Sequence, residues 1–383
     1  MITPRCRLLA ALCLLLIPLT VASPASALTR DQLRNTLAGY LAHSSLRGAS
    51  LGCHVQTPEG QEIYSYYSRR ALIPASNVKL VVSASAVELF GPQYVFGGQV
   101  WSETAPGPDG LLEGNLYLVG HANPDGTQSV IWPLARALQS KGLRQINGDV
   151  VGIGPVTAAD HDHGLQSARR LAEALSQLGL QIRGQARDGF CPRAPVLLAE
   201  SQGPSLSAYL KRTNKLSENR LAQRLFDSLL ACYADPRQPD PGFLLRYWSL
   251  RGLDTSGLIL VDGSGYSREN RLTAAFLTGV LVSTAQSPSA YTALSRSLPS
   301  AGVDGTLRGR MRATAAEGCV WAKTGTLLRV SCLSGYVERN GPPRLAFSLL
   351  MNGYSCTPGT VRRVQDQMAI AMAQYVKAQT AED

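Results

Sequence analysis

The segment from Pro74 to Phe90 constrains the fold more than any other, because it predicts a helix that must be buried on almost every side. Pro74 suits the first turn of a helix, and Gly91-Pro92 ends it. The residues after Ser76 form a long and mostly apolar run. A helix that is apolar all round belongs at the centre of a core rather than on a surface. We therefore expect a largely buried helix with Ser76 in its first turn.

A serine and a lysine three positions apart, Ser76 and Lys79, stand at the start of this helix. Positions three apart share one helical face, so the amine of Lys79 can reach the hydroxyl of Ser76. The positive end of the helix favours a developing alkoxide, and its free backbone amides can bind an oxyanion. A neutral Lys79 could then take the serine proton. The alternative, an N-cap serine with a surface lysine, fits poorly with so apolar a helix.

Lysine is rare in this chain, with six among 37 basic residues. Arginine cannot be deprotonated in a protein, whereas a buried lysine can lose its proton and act as a base. Three of the six lysines, Lys79, Lys215 and Lys323, fall in segments that carry other candidate site residues. This distribution suggests that these lysines are kept for a property that arginine lacks.

The segment from Thr213 to Ala222 contains Ser217 and Asn219, two positions apart. That spacing puts both side chains on one side only in a loop or extended turn before a helix. There a hydroxyl and an amide could relay a proton and hold a substrate amide. A helix cap is the competing explanation.

The runs Val320–Thr326 and Val330–Val337 predict two strands of a hairpin, linked by residues 327–329. Gly325 has no side chain, so a ligand backbone could lie against the first strand. Lys323 and the hydroxyls of Thr324 and Thr326 would then face a carboxylate. The alternative is a plain strand with an exposed lysine.

In order, the three segments resemble the Ser-x-x-Lys, Ser-x-Asn and Lys-Thr-Gly triplet of penicillin-binding serine enzymes. Their surroundings resemble the D-alanyl-D-alanine carboxypeptidase/endopeptidase family, the class C low-molecular-mass penicillin-binding proteins. Three further segments are similar to that family: Gly114–Gly120, Asp262–Arg268 and Gly302–Leu307.

The chain departs from the family pattern in three places. After Gly120 it has His121-Ala122-Asn123-Pro124-Asp125 where the family usually continues Gly-Asp-Pro. The stretch between Lys79 and Ser217 is shorter than in typical members, and Glu218 replaces the more usual aspartate. The first two differences concern substrate choice rather than chemistry.

The resemblance implies an α/β (α+β) penicillin-binding-protein/serine β-lactamase-like transpeptidase fold, with an antiparallel sheet flanked by helices. Residues 28–95 and 200–383 would form this domain, and residues 96–199 an inserted, strand-rich domain overhanging the site. Within the insert, Leu116–Val119 and Asp149–Val151 predict strands, and no internal repeat is evident. The run Val361–Ala378 predicts a closing helix, whose basic and apolar character could also suit peripheral membrane contact.

The same resemblance implies an acyl-enzyme mechanism on peptidoglycan peptides, inhibited by β-lactams and needing no cofactor or metal. The implied catalytic residues are Ser76, Lys79 and Ser217, and the implied substrate-binding residues are Asn219, Lys323, Thr324 and Thr326. The backbone amides of Ser76 and Thr326 would form the oxyanion hole. A serine β-lactamase and a non-catalytic wall-binding or β-lactam-sensing module remain alternatives. Carboxypeptidase and endopeptidase action are both open.

The N-terminus predicts a signal peptide at residues 1–27, with basic Arg5 and Arg7, an apolar run from Leu8 to Val21, and Ala25-Ser26-Ala27 at the cleavage site. We therefore expect an exported protein of the periplasm or extracytoplasmic envelope. An uncleaved anchor is the alternative.

The formal charge of +10 falls to +8 when Arg5 and Arg7 are removed, and the basic residues are scattered. This balance favours an anionic envelope polymer or membrane surface, and no nucleic-acid motif accompanies it. The six cysteines after residue 27 permit disulfides without fixing their pairing. The Asp160–His163 tract is expected to be a solvated loop rather than a metal site.

Overall fold

The structure is a computed structural model that describes residues 28–120, 129–153, 164–190, 195–233, 240–339 and 341–380. The predicted signal peptide, the His121–Asp125 departure, the Asp160–His163 tract and Cys191 lie outside these residues. The other five cysteines of the expected mature chain have free thiols.

The helices in the described ranges are α1 Arg30–Leu41, α2 Val78–Phe90, α3 Ile131–Ser140, α4 Leu165–Gln177, α5 Leu206–Lys215, α6 Asn219–Tyr233, α7 Phe243–Ser249, α8 Ala274–Ala285, α9 Pro288–Ser295 and α10 Pro358–Gln379. The strands are β1 Ser50–Gln56, β2 Glu62–Tyr66, β3 Val95–Ser102, β4 Leu111–Leu112, β5 Leu116–Gly120, β6 Gln145–Ile146, β7 Val150–Ile153, β8 Gln181–Ile182, β9 Ala186–Asp188, β10 Val196–Ser205, β11 Val320–Leu327, β12 Val330–Glu338 and β13 Pro343–Asn352.

A five-stranded antiparallel sheet in the order β11-β12-β13-β1-β2 joins the two ends of the described chain. Helices α1 and α10 share a core with one face of this sheet, and α2 and α8 share a core with the other. Every residue of β12 is buried, because helices cover both faces of the sheet. The predicted hairpin and the predicted C-terminal helix are both confirmed.

The central helix α2 is confirmed as buried, since every residue from Val78 to Val87 is buried. It packs against α5, α6, α8 and α9. Its start differs from the prediction in detail, because Ser76 lies in the 3-10 turn Ala75–Asn77 that leads directly into it. Ala75 has a φ of 47°, so the chain cannot be α-helical before Ser76.

The C-terminal helix α10 closes the molecule with an apolar face. Val361, Met368 and Met372 on that face are buried in the core shared with the sheet. The basic residues Arg362, Arg363 and Lys377 are exposed. No helix of the described residues is long and apolar enough to cross a membrane.

The inserted region has its own sheets and its own core. One sheet has the order β10-β3-β5-β7-β9, and a smaller one has the order β4-β6-β8. Helices α3 and α4 pack on these strands, and the buried residues of their core all lie between Val100 and Ala199. The predicted strands at Leu116–Val119 and Asp149–Val151 correspond to β5 and to the start of β7.

The insert contains an internal repeat, so the expectation that the chain has none was wrong. Strands β4, β6 and β8 pair in parallel, and so do β5, β7 and β9. The glycine turns between them stack directly, since a Cβ on Gly148 would lie 2.3 Å from the carbonyl oxygen of Gly114, and one on Gly184 would lie 2.3 Å from that of Gly148. The copies have few residues in common beyond this glycine. The repeat is therefore difficult to detect in the sequence.

Side chains after these glycines join the copies. The Asn115 side-chain oxygen accepts a hydrogen bond from the backbone N–H of Asp149 at 2.8 Å. One carboxylate oxygen of Asp149 accepts a bond from the backbone N–H of Gln185 at 2.9 Å. The bond from Gln185 and the Arg187 guanidinium hold the pKa of Asp149 below its ordinary value. The insert therefore contains a short stack of glycine turns, and hydrogen bonds between successive turns stabilise it.

Candidate active site

The turn that carries Ser76 lies directly against strand β11. A Cβ on Gly325 would approach the carbonyl oxygen of Pro74 to 2.8 Å and the Cβ of Ala75 to 3.2 Å. Gly325 therefore lets β11 and the turn pack together. This differs from the expectation that its missing side chain leaves room for a ligand backbone, because the space is filled by the turn itself.

A side-chain hydrogen bond from Asn77 joins the same turn to the main sheet. Its side-chain N–H donates to the Ser334 hydroxyl at 2.6 Å, and the Ser334 and Ser348 hydroxyls are 2.7 Å apart. All three residues are fully buried. Buried polar groups are costly unless they are hydrogen-bonded, so this chain of bonds specifies one position of the turn on β12 and β13.

Lys79 is fully buried and connects three segments of the chain. Its Nζ lies 2.9 Å from the Ser76 hydroxyl, 2.8 Å from the Asn219 side-chain oxygen and 2.6 Å from the backbone carbonyl of Ser264. Burial lowers its pKa from 10.5 to about 8, although the nearby Asp262 carboxylate opposes the shift. About a tenth of Lys79 is thus neutral at pH 7, and this form is able to accept the Ser76 proton.

The Ser264 carbonyl is aimed at Lys79 by a tight turn built around Asp262. One carboxylate oxygen of Asp262 accepts bonds from the backbone N–H groups of Ser264 at 2.8 Å and Gly265 at 2.5 Å. Gly265 has a φ of 76°, and a Cβ there would lie 1.9 Å from the carbonyl oxygen of Ala75. Sequence reasoning did not assign this turn a role, although Asp-Gly-Ser-Gly has the composition of a turn.

Ser217 lies in the turn between α5 and α6 with a φ of 57°, and Asn219 is the first residue of α6. The predicted turn before a helix is thus confirmed. The Nζ of Lys323 donates to the Ser217 hydroxyl at 2.9 Å and to the Thr324 carbonyl at 2.9 Å. Lys323 is fully buried, and burial together with the charge of Lys79 lowers its pKa well below the ordinary value.

Strand β11 forms an edge of the main sheet, and its side chains alternate. Lys323 and Gly325 point to the side of Ser217 and the Ser76 turn, while Thr324 and Thr326 are on the opposite face. Thr326 is exposed, and the Thr324 hydroxyl lies 2.8 Å from that of Thr306. A peptide lying along this edge can reach groups from both faces, as in recognition by strand addition.

The structure therefore brings Ser76, Lys79 and Asn219 together by direct contacts, and joins Lys323 to Ser217 in the same way. A hydroxyl bonded to a buried, partly neutral amine is the arrangement of an activated nucleophile. The described residues hold no group of histidine, cysteine, aspartate and glutamate side chains suited to a metal ion.

Comparison with known sequences identifies similar proteins over almost the whole chain. The sequence model of the D-Ala-D-Ala carboxypeptidase 3 (S13) family matches residues 33–163 and 154–375. A D-alanyl-D-alanine carboxypeptidase from Actinomadura sp. is 31% identical over 491 aligned positions, covering 96% of this chain and 90% of that protein. A carboxypeptidase from Mycolicibacterium smegmatis is 28% identical, covering 90% and 84% of the two chains. The alignment is 108 positions longer than the 383 residues of this chain.

Solved structures show the same fold. Penicillin binding protein 4 from Haemophilus influenzae superimposes with a TM-score of 0.61 at 23% identity, covering 89% of this chain and 99% of that structure. A predatory peptidoglycan endopeptidase from Bdellovibrio bacteriovorus gives a TM-score of 0.52 at 17% identity, covering 84% and 91%. These likenesses confirm the fold class predicted from the sequence.

Proposed function

Because the chain belongs to the D-Ala-D-Ala carboxypeptidase 3 (S13) family and is a serine-type peptidase acting on peptidoglycan peptides, we propose that Ser76 is the residue acylated in its reaction. The observation that carries this proposal is the 2.9 Å contact between the Ser76 hydroxyl and the buried Nζ of Lys79. Burial lowers the pKa of Lys79 to about 8, so that its neutral form can act as a base.

In the first step, Lys79 removes the proton of Ser76 while the oxygen attacks the carbonyl carbon between two D-alanines. The backbone N–H groups of Ser76 and Thr326 stabilise the oxyanion that forms. Asn219, whose side-chain oxygen is bonded to Lys79, presents its amide N–H groups to the substrate backbone. This step forms the bond between the serine oxygen and the carbonyl carbon, and the acyl-enzyme follows when the C–N bond breaks.

In the second step, the C–N bond breaks and the leaving amine must gain a proton. Ser217 passes this proton from Lys323, to which it is hydrogen-bonded at 2.9 Å. The terminal carboxylate of the substrate lies beside Lys323, Thr324 and Thr326. A carboxylate next to Lys323 favours the charged form of that amine. Lys323 therefore takes up a proton from solvent when the substrate binds, and this proton is passed on.

After Lys79 has released the Ser76 proton to solvent, water attacks the acyl-enzyme with Lys79 again as base. The proton taken from water returns to the Ser76 oxygen as the ester bond breaks and the shortened peptide leaves. The same acyl-enzyme forms when the leaving amine belongs to a cross-linking side chain, so D,D-endopeptidase action uses the same residues. A β-lactam acylates Ser76 by ring opening and keeps its leaving group attached. The expected signal peptide would place this activity in the periplasm or extracytoplasmic envelope.

Mass spectrometry after brief exposure to benzylpenicillin tests the proposal. Trypsin should release residues 71–79, in which Ser76 is the sole hydroxyl. We expect one drug adduct on the intact chain, located on this peptide and absent from Ser76→Ala. Ser264→Ala is the matched control, since that hydroxyl bonds to Asp262 and the variant keeps the carbonyl that faces Lys79.

The other outcomes are each informative. An adduct that persists in Ser76→Ala would refute the assignment of the nucleophile. An unmodified chain with hydrolysed drug would indicate a β-lactamase. An unmodified chain with intact drug would indicate a non-catalytic module.

A further inference from the structure

Lys215, the last residue of α5, lies where three segments meet. Its Nζ donates to the Asp304 carboxylate at 2.5 Å and to the Leu298 carbonyl at 3.0 Å, and lies 5.2 Å from the centre of the Trp321 ring. Only 12% of its side chain is exposed. We call Lys215, Asp304, the Leu298 carbonyl and the Trp321 ring the Lys215 cluster.

Two residues after each side chain of the cluster comes either a residue of the proposed site or one hydrogen-bonded to it. Lys215 precedes Ser217 by two positions, Asp304 precedes Thr306, and Trp321 precedes Lys323. The later residues are joined in turn, because Lys323 donates to Ser217 at 2.9 Å and Thr306 lies 2.8 Å from Thr324. The cluster and these bonds therefore form successive links between the same three segments.

The backbone around the cluster is closely packed. A Cβ on Gly305 would lie 2.8 Å from the carbonyl oxygen of Lys215, so the loop and the turn touch at this glycine. The second carboxylate oxygen of Asp304 accepts a bond from the Ser300 backbone N–H at 2.9 Å. Asp304 thus fixes its own loop with one oxygen and holds Lys215 with the other.

Ser217 needs such support. Its φ of 57° is a conformation that residues with a side chain rarely adopt, and it persists only where the surroundings determine it. The backbone N–H of Ser217 makes a long bond, 3.3 Å, to the Asn214 carbonyl. Lys215 contacts a carboxylate, a carbonyl and an aromatic ring, and none of these belongs to a proposed reacting residue. Its influence on the reaction therefore passes through Ser217.

We propose that Lys215 and Asp304 are positioning residues that hold the Ser217 hydroxyl against Lys323 for proton delivery to the leaving amine. This inference rests on the proposed function. It gives Lys215 a different use from the proton transfer that its rarity suggested. The ion pair fixes a turn, whereas Lys79 and Lys323 handle the proton.

The test compares two substrates with the same acyl group. In a D-alanyl-D-alanine peptide the C–N bond breaks and the nitrogen must gain a proton. In the matching thioester the C–S bond breaks and a thiolate leaves without one. We expect Lys215→Met to lower kcat for the amide by about 10- to 100-fold with little change in KM. The thioester rate should fall by no more than about threefold, because it needs no general acid.

Three variants complete the design. Lys215→Arg keeps the charge and should recover part of the amide rate. Asp304→Asn keeps the shape of the side chain and should shift the amide-to-thioester ratio in the same direction as Lys215→Met. Lys141→Met is the control, because Lys141 also donates to a carbonyl, that of Leu198 at 2.7 Å, but in the inserted region.

Equal loss on both substrates would overturn the proposal, since it would reveal a general structural role. Unchanged rates on both would overturn it as well. If Lys215→Met does not fold, the ratio measured for Asp304→Asn and Lys215→Arg decides. A wild-type chain that is not acylated on residues 71–79 would instead count against the proposed function itself.

Discussion

At the scale of single residues, two fully buried lysines, Lys79 and Lys323, determine the electrostatics of the site. Burial is the largest cause of the lowered pKa of both Lys79 and Lys323. The charge of Lys79 lowers the pKa of Lys323 further, whereas the Asp262 carboxylate partly restores that of Lys79. The pair therefore favours a state with fewer than two positive charges, which leaves an amine free to act as a base.

The pH dependence of acylation follows from Lys79. The neutral amine is the active form, and its pKa is about 8, so the rate should rise as the pH increases through 8 and level off above it. Between pH 7 and pH 9 we expect an increase of about tenfold in the second-order rate constant for benzylpenicillin. Stopped-flow measurements with a thermal unfolding scan at each pH would separate this effect from stability. A rate that falls over this range would contradict the role of Lys79 as base.

The local part of the site could be predicted from the sequence, and the long-range part could not. Ser76 and Lys79 are three positions apart on one helical start, so their contact follows from helix geometry. The bond from Lys79 to Asn219 crosses 140 positions, and no local pattern predicts it. Ser264 was missed for another reason, because it contributes a backbone carbonyl that any residue type could supply.

At the scale of elements, the site depends on how closely β11 and the Ser76 turn pack. Two strand-like runs and a short link between them predicted the hairpin of β11 and β12, since both signals are local. The packing of the turn against Gly325 is a tertiary contact, and the glycine alone suggested a different use. The repeat in the insert escaped notice for a related reason, because it is defined by the stacking of turns at Gly114, Gly148 and Gly184.

Gly325→Ala tests this packing. The added Cβ would lie 2.8 Å from the Pro74 carbonyl oxygen, so the turn or the strand must move. We expect acylation to slow by about 10- to 100-fold and the free energy of unfolding to fall by about 1–3 kcal/mol. Gly309→Ala is the matched control, because a Cβ there meets nothing within 4 Å. Penicillin acylation at the wild-type rate in Gly325→Ala would show that the close approach is not required.

At the scale of the whole molecule, the buried apolar residues of the described ranges form three clusters. Two clusters combine residues from both sides of the insert and lie around the main sheet, while the third is confined to residues 100–199. The sequence predicted an insert near residues 96–199, and both of these positions fall within strands, β3 and β10. The pairing of β3 with β10, where the insert joins the main domain, is a long-range contact. A pattern in the sequence therefore locates the boundary of the insert only to within a few residues.

Removing the insert tests whether the site is independent of it. Gly97 and Gln202 are paired across the antiparallel strands β3 and β10, so an Asn-Gly turn can join them after residues 98–201 are deleted. Phe96 and Leu206, which pack in the main core, are retained. We expect the shortened chain to unfold cooperatively and to be acylated by benzylpenicillin at a rate within about threefold of wild type, since the proposed reacting groups all remain.

The separate fragment 98–201 is the control, and it should show its own cooperative unfolding transition because it contains the third core. Peptide hydrolysis by the shortened chain should differ from wild type more than acylation does, because the insert was expected to overhang the site and the peptide is longer than the drug. Loss of acylation in a folded shortened chain would mean that the insert helps to hold the catalytic groups. That result would move part of the active site into the region that the sequence resemblance describes least well.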